Sequence, residues 1–171
     1  MKTIVIGAGP AGLNAAIHAS NDNNDVIILE KNKKAGKKLF ITGKGRCNVT
    51  NNCTPREFIS NVVNNKEFLY SSINNFSSED TIEFFENNKT PLVTERGNRV
   101  FPKSYKAYDI TDALVNKCHK NKVVFKFEET VISIKKEDEQ FDVNYKGCYF
   151  LSRYYIEEVR SNKQRSANIL F

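Results

Sequence analysis

Gly7-x-Gly9-x-x-Gly12 constrains this chain more than any other feature, because of what stands on either side of it. Thr3-Ile4-Val5-Ile6 is a short apolar, β-branched run that ends at Gly7, the pattern of a strand buried on both faces of a parallel sheet. Pro10 presets φ for a helix start, where its missing N–H costs nothing, and Leu13, Ala16 and Ile17 recur at helical spacing. The helix stops in Asn21-Asp22-Asn23-Asn24, and Val26-Ile27-Ile28-Leu29 forms a second buried strand closed by Glu30. Strand, glycine turn, helix, strand and acid in this order make a dinucleotide-binding pattern, where a lone glycine triplet would be weak evidence. Gly7 allows the tight turn, Gly9 lets the backbone approach a pyrophosphate, and Gly12 lets the helix pack closely on the sheet. N–H groups at the helix start, around Pro10 and Ala11, then face the phosphates. Glu30 would accept hydrogen bonds from an adenosine ribose, and its charge argues against a 2′-phosphate there. FAD and NAD both remain open on these residues.

Charge is the second constraint. The formal net charge is +6, which taken alone suggests a polyanionic partner. Residues 31–46 carry Lys31, Lys33, Lys34, Lys37, Lys38, Lys44 and Arg46 and no acid, so +7 sits in one segment and the remainder is left at −1. The excess is therefore local and lies beside the nucleotide strand, without the interleaved aromatic residues of a base-stacking surface. No nucleic-acid partner is expected. With 40% apolar residues the chain can bury a core, which excludes disorder as the default. Cys47, Cys53, Cys118 and Cys148 are too scattered for a disulfide framework or a zinc knuckle, and reduced thiols are expected. No run approaches the roughly eighteen apolar residues of a membrane span, and glycines interrupt the apolar N-terminus as they would not in a leader. The expectation is a cytoplasmic protein with no membrane partner.

Further along, residues 31–54 lose periodicity and read as a long irregular loop, which in compact domains is usually functional. Residues 55–88 read as two helices, one opening at Pro55 and the other near Ser78 as N-cap, with Phe84 and Phe85 in the core. Pro91 to Pro102 reads as a hairpin turned at Gly97-Asn98. A helix is expected from Ser104 to Lys120 with Ile110, Leu114 and Val115 inward. The runs 122–127, 130–136 and 140–145 alternate like strands of one antiparallel meander. His18 and His119 fall on helices and read as ordinary surface or core residues.

Within the loop, Thr42-Gly43-Lys44-Gly45-Arg46-Cys47-Asn48-Val49-Thr50-Asn51 has the small residues and amides of a backbone folded closely on a ligand. Together with Gly36-Lys37-Lys38-Leu39, and with Arg99-Val100-Phe101-Pro102, Lys106-Ala107 and Asp109, it closely resembles the BaiN/RdsA-type NAD(P)/FAD-dependent oxidoreductases, the aminoacetone-oxidase-like flavoproteins. The resemblance covers about residues 2–155. It implies an α/β, Rossmann-like FAD-binding domain of the glutathione-reductase type, with a parallel sheet, helices and an antiparallel β-meander. By that resemblance Gly7, Gly9, Pro10, Ala11 and Gly12 would line the pyrophosphate and Glu30 the ribose, with Lys31 and Lys38 nearby. Gly45, Arg46, Cys47 and Asn48 would lie along the flavin side, and Val131 would offer backbone bonds to the adenine. The implied activity is hydride transfer between NAD(P)H, FAD and a small organic substrate.

Such enzymes continue after the meander with a strand ending in Ala-Thr-Gly, an inserted substrate domain and a closing FAD segment with its own Gly-Asp. Here the chain runs from Tyr155 to Phe171 with no Gly after Gly147. The expectation is an N-terminal part over 1–155, a divergent tail over 156–171, and no inserted domain or closing segment. The alternative to the oxidoreductase reading is a catalytically inactive, truncated nucleotide-binding fragment. With the substrate domain missing, no catalytic acid or base is named, and Cys47 reads as packing against the cofactor in preference to a redox thiol.

Overall fold

The computed structural model describes residues 2–137, 140–145, 148–150 and 155–157, so most of the tail expected over 156–171 lies outside the described residues. In chain order the elements are β1 (Lys2–Ile6), α1 (Pro10–Ala19), β2 (Asp25–Glu30), a 3-10 segment (Leu39–Gly45), β3 (Thr50–Asn51), α2 (Pro55–Ser60), α3 (Lys66–Asn75) and α4 (Ser78–Asn87). These are followed by β4 (Leu92–Glu95), β5 (Arg99–Pro102), α5 (Ala107–Lys120), β6 (Val124–Phe127), β7 (Val131–Glu137), β8 (Gln140–Tyr145), β9 (Cys148–Phe150) and β10 (Tyr155–Glu157). The described residues fall into two compact units, 2–37 with 114–157 and 38–113.

In the first unit a parallel sheet has the order β10-β1-β2-β6, with Ile4 beside Ile27 and Ile156, and Ile28 beside Phe125. Period-two alternation divides its side chains between two covers. Ile4 and Leu29 meet Val143 and Tyr145 of the antiparallel sheet β7-β8-β9, with Ile6, Ile27 and Val131 packed around them. Val5 faces α1, whose Leu13, Ala16 and Ile17 are buried. The central runs, residues 4–6 and 26–29, are therefore apolar on both faces, as a sheet covered on both sides requires. The α1–β2 turn is closed by Asn24, whose amide donates to Thr3 Oγ1 at 3.0 Å and to the Ala19 carbonyl at 2.7 Å. Along α1, the Cys118 thiol donates to the Leu13 carbonyl at 3.6 Å and Asn121 Nδ2 to the Ile17 carbonyl at 3.2 Å.

In the second unit, β3, β5 and β4 form an antiparallel sheet, with Thr50 opposite Val100 and Thr94 opposite Val100 on the other side. The loop motif ending at Asn51 and the block Arg99–Pro102 are thus neighbouring strands. Helices α2 and α4 each start with a reciprocal capping box, Thr54 with Glu57 and Ser77 with Asp80.

Several expectations are corrected. Residues 122–127 do not join the meander: β6 pairs in parallel with β2. Last in the order of the described sheet strands, it leaves Val124 51% and Phe127 37% exposed, one on each face, so it lacks the continuous buried run that marks β1 and β2 as parallel strands. Residues 55–88 hold three helices, because Asn65 in a left-handed conformation starts α3 between the two expected ones. The cap of α4 is Ser77; Ser78 is its buried first residue and accepts from Thr50 Oγ1 at 3.2 Å. Residues 31–54 are not structureless, containing the 3-10 segment and β3. The helix expected from Ser104 starts at Ala107, after Ser104 has bonded Asp109. Ile110 and Leu114 are buried, whereas Val115 is only partly so, as is Phe84, whose ring lies edge-on to buried Phe85.

A Cβ built on Gly12 would stand 2.0 Å from the Gly7 carbonyl oxygen and 3.3 Å from Val5 Cγ1, whereas one on Gly9 meets nothing within 4 Å. Gly12→Ala is therefore expected to lower unfolding free energy by about 3 kcal/mol through overpacking. Gly9→Ala should stay within about 0.5 kcal/mol of the parent, since reduced chain entropy and a poorer N-cap oppose each other. Urea denaturation of both variants checks this, and equal losses would contradict the packing assigned to Gly12.

Candidate functional site

Two clusters hold the candidate residues, one in each unit. In the first, β1 runs into a turn whose backbone is divided between scaffold and open groups. The Gly7 N–H donates to the Leu29 carbonyl at 2.8 Å, the Ala8 N–H to Glu30 Oε2 at 2.7 Å, and the Ala8 carbonyl accepts from the Gly36 N–H at 2.8 Å. Gly7 has φ of +97°, a conformation glycine adopts at no steric cost. The next N–H groups, those of Gly9, Ala11 and Gly12, have no hydrogen-bond acceptor among the described residues, and Gly9 gives α1 no side-chain cap. With Pro10 at the first helical position and no acid in the first turn, the positive end of α1 meets open space over Gly9.

Glu30, at the carboxyl end of β2, is 7% exposed and is held from two sides. Oε2 accepts from Ala8 as described, and Oε1 accepts from the Asn32 N–H at 2.8 Å and from the Asn32 side-chain amide. The carboxylate is thereby fixed beside the glycine turn with acceptor capacity left on Oε2. The Glu129 N–H donates to the Glu30 carbonyl at 3.0 Å, and Glu129 Oε2 is buried without a hydrogen-bond partner among the described residues. Two residues on, Val131 opens β7. Gly7, Gly9, Pro10, Ala11, Gly12 and Glu30 are thus brought together at the carboxyl ends of β1 and β2. Lys31 follows them as an exposed residue.

The second cluster is a tight loop. Gly43, Lys44, Gly45 and Cys47 have φ of 52°, 57°, 86° and 59°, a run of left-handed residues broken only at Arg46. The Arg46 N–H donates to the Gly43 carbonyl and the Cys47 N–H to the Thr42 carbonyl, both at 3.2 Å. A Cβ on Gly43 would lie 3.2 Å from the Asn48 nitrogen and 3.4 Å from a Phe101 ring carbon, so the loop is packed as well as bent. Lys38 stands exposed at the start of this segment. The Asn48 amide donates to the Thr50 and Val100 carbonyls, both at 3.1 Å, so it staples the loop to β5 and keeps its oxygen for another donor. Cys47 is buried, and burial pushes its thiol up despite a hydrogen bond with Thr42. That environment disfavours a thiolate and agrees with a packing role.

Arg46 is organised by Phe101, from the block Arg99–Pro102, and by Glu95 and Tyr105, which the sequence did not mark. Its Nη1 lies 3.2 Å from Glu95 Oε1, and its guanidinium carbon lies 4.5 Å from the Phe101 ring centroid and 5.6 Å from that of Tyr105. The one available signal was that Arg99–Pro102 resembled a family block, since β5 is the strand on which β3 pairs. Among the described residues no group of three His, Cys, Asp or Glu could hold a metal ion. No helix among them is long and apolar enough to cross a membrane.

The model of the HI0933-like protein Rossmann domain matches residues 1–156. The chain belongs to this family. Ribosomal RNA dihydrouridine synthase of Escherichia coli is 30% identical over 145 residues, 84% of this chain and 35% of that protein. The 3-dehydro-bile acid delta(4,6)-reductase of Clostridium scindens is 31% identical over 149 residues, 85% of this chain and 36% of that one. The chain thus spans about a third of the length of these curated relatives. Among solved structures, 3-ketosteroid-delta4-(5alpha)-dehydrogenase of Rhodococcus jostii superposes with a TM-score of 0.63 at 13% identity, covering 90% of this chain and 44% of that one. That likeness shows the Rossmann fold expected from the sequence.

Thiol reactivity tests the packing role of Cys47. Burial also raises the Cys53 thiol, and pushes that of Cys118 up to about 12, but of Cys47, Cys53 and Cys118 it is Cys53 that is partly exposed. Iodoacetamide at pH 8 followed by peptide mass mapping should label Cys53 ahead of Cys47 and Cys118. Faster labelling of Cys47 would contradict its role as a buried packing residue.

Proposed function

We propose that this chain is the dinucleotide-binding part of an FAD-dependent reductase. The observation that carries the reading is the division of labour in the glycine turn. Backbone groups of residues 7 and 8 are spent on the scaffold, while Gly9, Ala11 and Gly12 keep N–H groups directed at a space with no Cβ in it. A pyrophosphate matches such a helix start in both charge and hydrogen bonding. Glu30, buried and already oriented by Ala8 and Asn32, is placed to accept from ribose hydroxyls. The buried Glu129 Oε2 is an acceptor in want of a donor, and adenosine supplies donors at its amine and hydroxyls. The residues present therefore fit an ADP moiety. Lys31 supplies positive charge at its edge, and Val131 is the backbone candidate for the adenine.

Membership of this family supports a flavin dinucleotide; in our reading it is FAD, with Gly45, Arg46, Cys47 and Asn48 on its flavin side and NAD(P)H as the reductant. When bound, the flavin supplies hydride chemistry, and the protein supplies binding, orientation and electrostatics. The two curated relatives suggest the substrate class. Making dihydrouridine and reducing a delta(4,6) unsaturated 3-oxo steroid both add a hydride and a proton across a carbon–carbon double bond conjugated to a carbonyl. We extend that class, an activated alkene, to the protein of which this chain is a part, and place it in the cytoplasm, where the unpaired Cys47, Cys53 and Cys118 would stay reduced.

The test is flavin uptake. The purified chain, mixed with FAD and freed of excess, should carry flavin absorbance near stoichiometry. Gly9→Val should abolish it by placing a side chain in the pyrophosphate space, and Glu30→Gln should weaken it about tenfold by removing a charge-assisted acceptor. Unchanged uptake by Gly9→Val would sink the assignment.

A further inference from the structure

The hydrogen bonds at Glu30 are shared unequally between its two oxygens. A carboxylate offers about four acceptor positions, two on each oxygen. Oε1 takes the Asn32 N–H at 2.8 Å and the Asn32 side-chain amide, which fills it. Oε2 takes the Ala8 N–H at 2.7 Å and keeps a position open. Among the described residues, then, the acceptor capacity that Glu30 has left for a ligand is a single position on Oε2. An adenosine ribose presents two hydroxyls.

Asn32 is fixed well enough to impose this limit. Its carbonyl accepts from the Glu128 N–H at 3.1 Å, and the Glu30 carbonyl accepts from the Glu129 N–H at 3.0 Å, so the chain leaving β2 is tied to the chain leaving β6. The side-chain amide accepts from Lys37 Nζ through Oδ1 at 3.2 Å and donates to Glu30 through Nδ2. The Lys37 contact is exposed, but an ammonium accepts no hydrogen bond, so it admits only this orientation of the amide. Glu30, Asn32, Lys37, Glu128 and Glu129 all belong to the first unit, together with the glycine turn.

We infer that Asn32 is a positioning residue that restricts Glu30 to one ribose hydroxyl: by occupying Oε1 it leaves Oε2 as the reading atom, so the 2′- and 3′-hydroxyls are not recognised alike. This rests on the dinucleotide reading above and goes beyond it in assigning the contact to one oxygen. Asn32 acts through Glu30 alone.

Dissociation constants of ADP, 2′-deoxy-ADP and 3′-deoxy-ADP for the purified chain, measured by titration calorimetry, test this. In the parent, one deoxy analogue should bind about tenfold more weakly than ADP, having lost a charge-assisted hydrogen bond, and the other within about twofold of ADP. Asn32→Ala vacates a position on Oε1 and frees the carboxylate to turn, so the two analogues should come within about threefold of each other. Asn32→Asp keeps an acceptor for Lys37 but sets an anion against Glu30, and should bind ADP more weakly than Asn32→Ala. The comparison within the parent needs no variant, so it stands even where a substitution unfolds the chain. Three results overturn the role of Asn32 while leaving the dinucleotide reading intact. They are a parent that treats both analogues alike, an Asn32→Ala that keeps the tenfold gap between them whatever its stability in urea, and an Asn32→Asp that binds ADP at least as tightly as Asn32→Ala. No ADP binding by the parent overturns that reading, and this inference with it.

Discussion

The contact between Gly12 and the Gly7 carbonyl is the constraint on which the first unit turns. A side chain of any size at residue 12 would collide with that oxygen, since even its Cβ would lie 2.0 Å away. Because the approach is that close, α1 starts directly behind β1 and its first N–H groups open at the carboxyl edge of the sheet. The same tight turn carries Ala8 to Glu30, so a residue at the end of β2 is locked to the loop leaving β1. Helix, loop and acid are thereby held together, with the Glu30 carboxylate and the helix-start N–H groups oriented by the protein itself.

The second unit solves a different problem, that of holding a charged side chain steady on an irregular loop. Left-handed residues at 43–45 and 47 reverse the chain sharply, and only two of these four are glycine. Non-glycine residues in that conformation carry a cost that packing has to offset. Here the offset is visible in buried Cys47, in the Asn48 amide bridging to Thr50 and Val100, and in the pairing of β3 with β5. The loop and Arg99–Pro102 are thereby one structural object, though nearly fifty residues separate Arg46 from Glu95.

What was legible in the sequence follows from the range of the interactions involved. Strands β1 and β2, helix α1, the turn at Gly7 and the close packing of Gly12 are set by residues within a few positions of one another, and local pattern found them. The hairpin at Gly97-Asn98 was legible for the same reason. Ser77 and Ser78 are one residue apart and both plausible caps; the reciprocal bond to Asp80 decided in favour of Ser77. The partner of β6 was not legible, because a four-residue strand with exposed residues at both ends has no buried run to name the sheet it joins. Glu95 and Tyr105 became neighbours of Arg46 only through long-range pairing, which no spacing rule reports. The sequence motif located Arg46, and the fold supplied its orientation.

The central claim is that the open N–H groups behind Gly9 and the oriented Glu30 bind the ADP part of a dinucleotide. An ADP titration of the isotope-labelled chain, followed by amide NMR, tests it most directly. The account expects the amides of Gly9, Ala11, Gly12 and the residues flanking Glu30 to move together along one saturating curve. If those amides stay fixed while only the lysine-rich segment 31–38 responds, and that response fades with added salt, the chain attracts phosphate without possessing the site described, and the account is wrong.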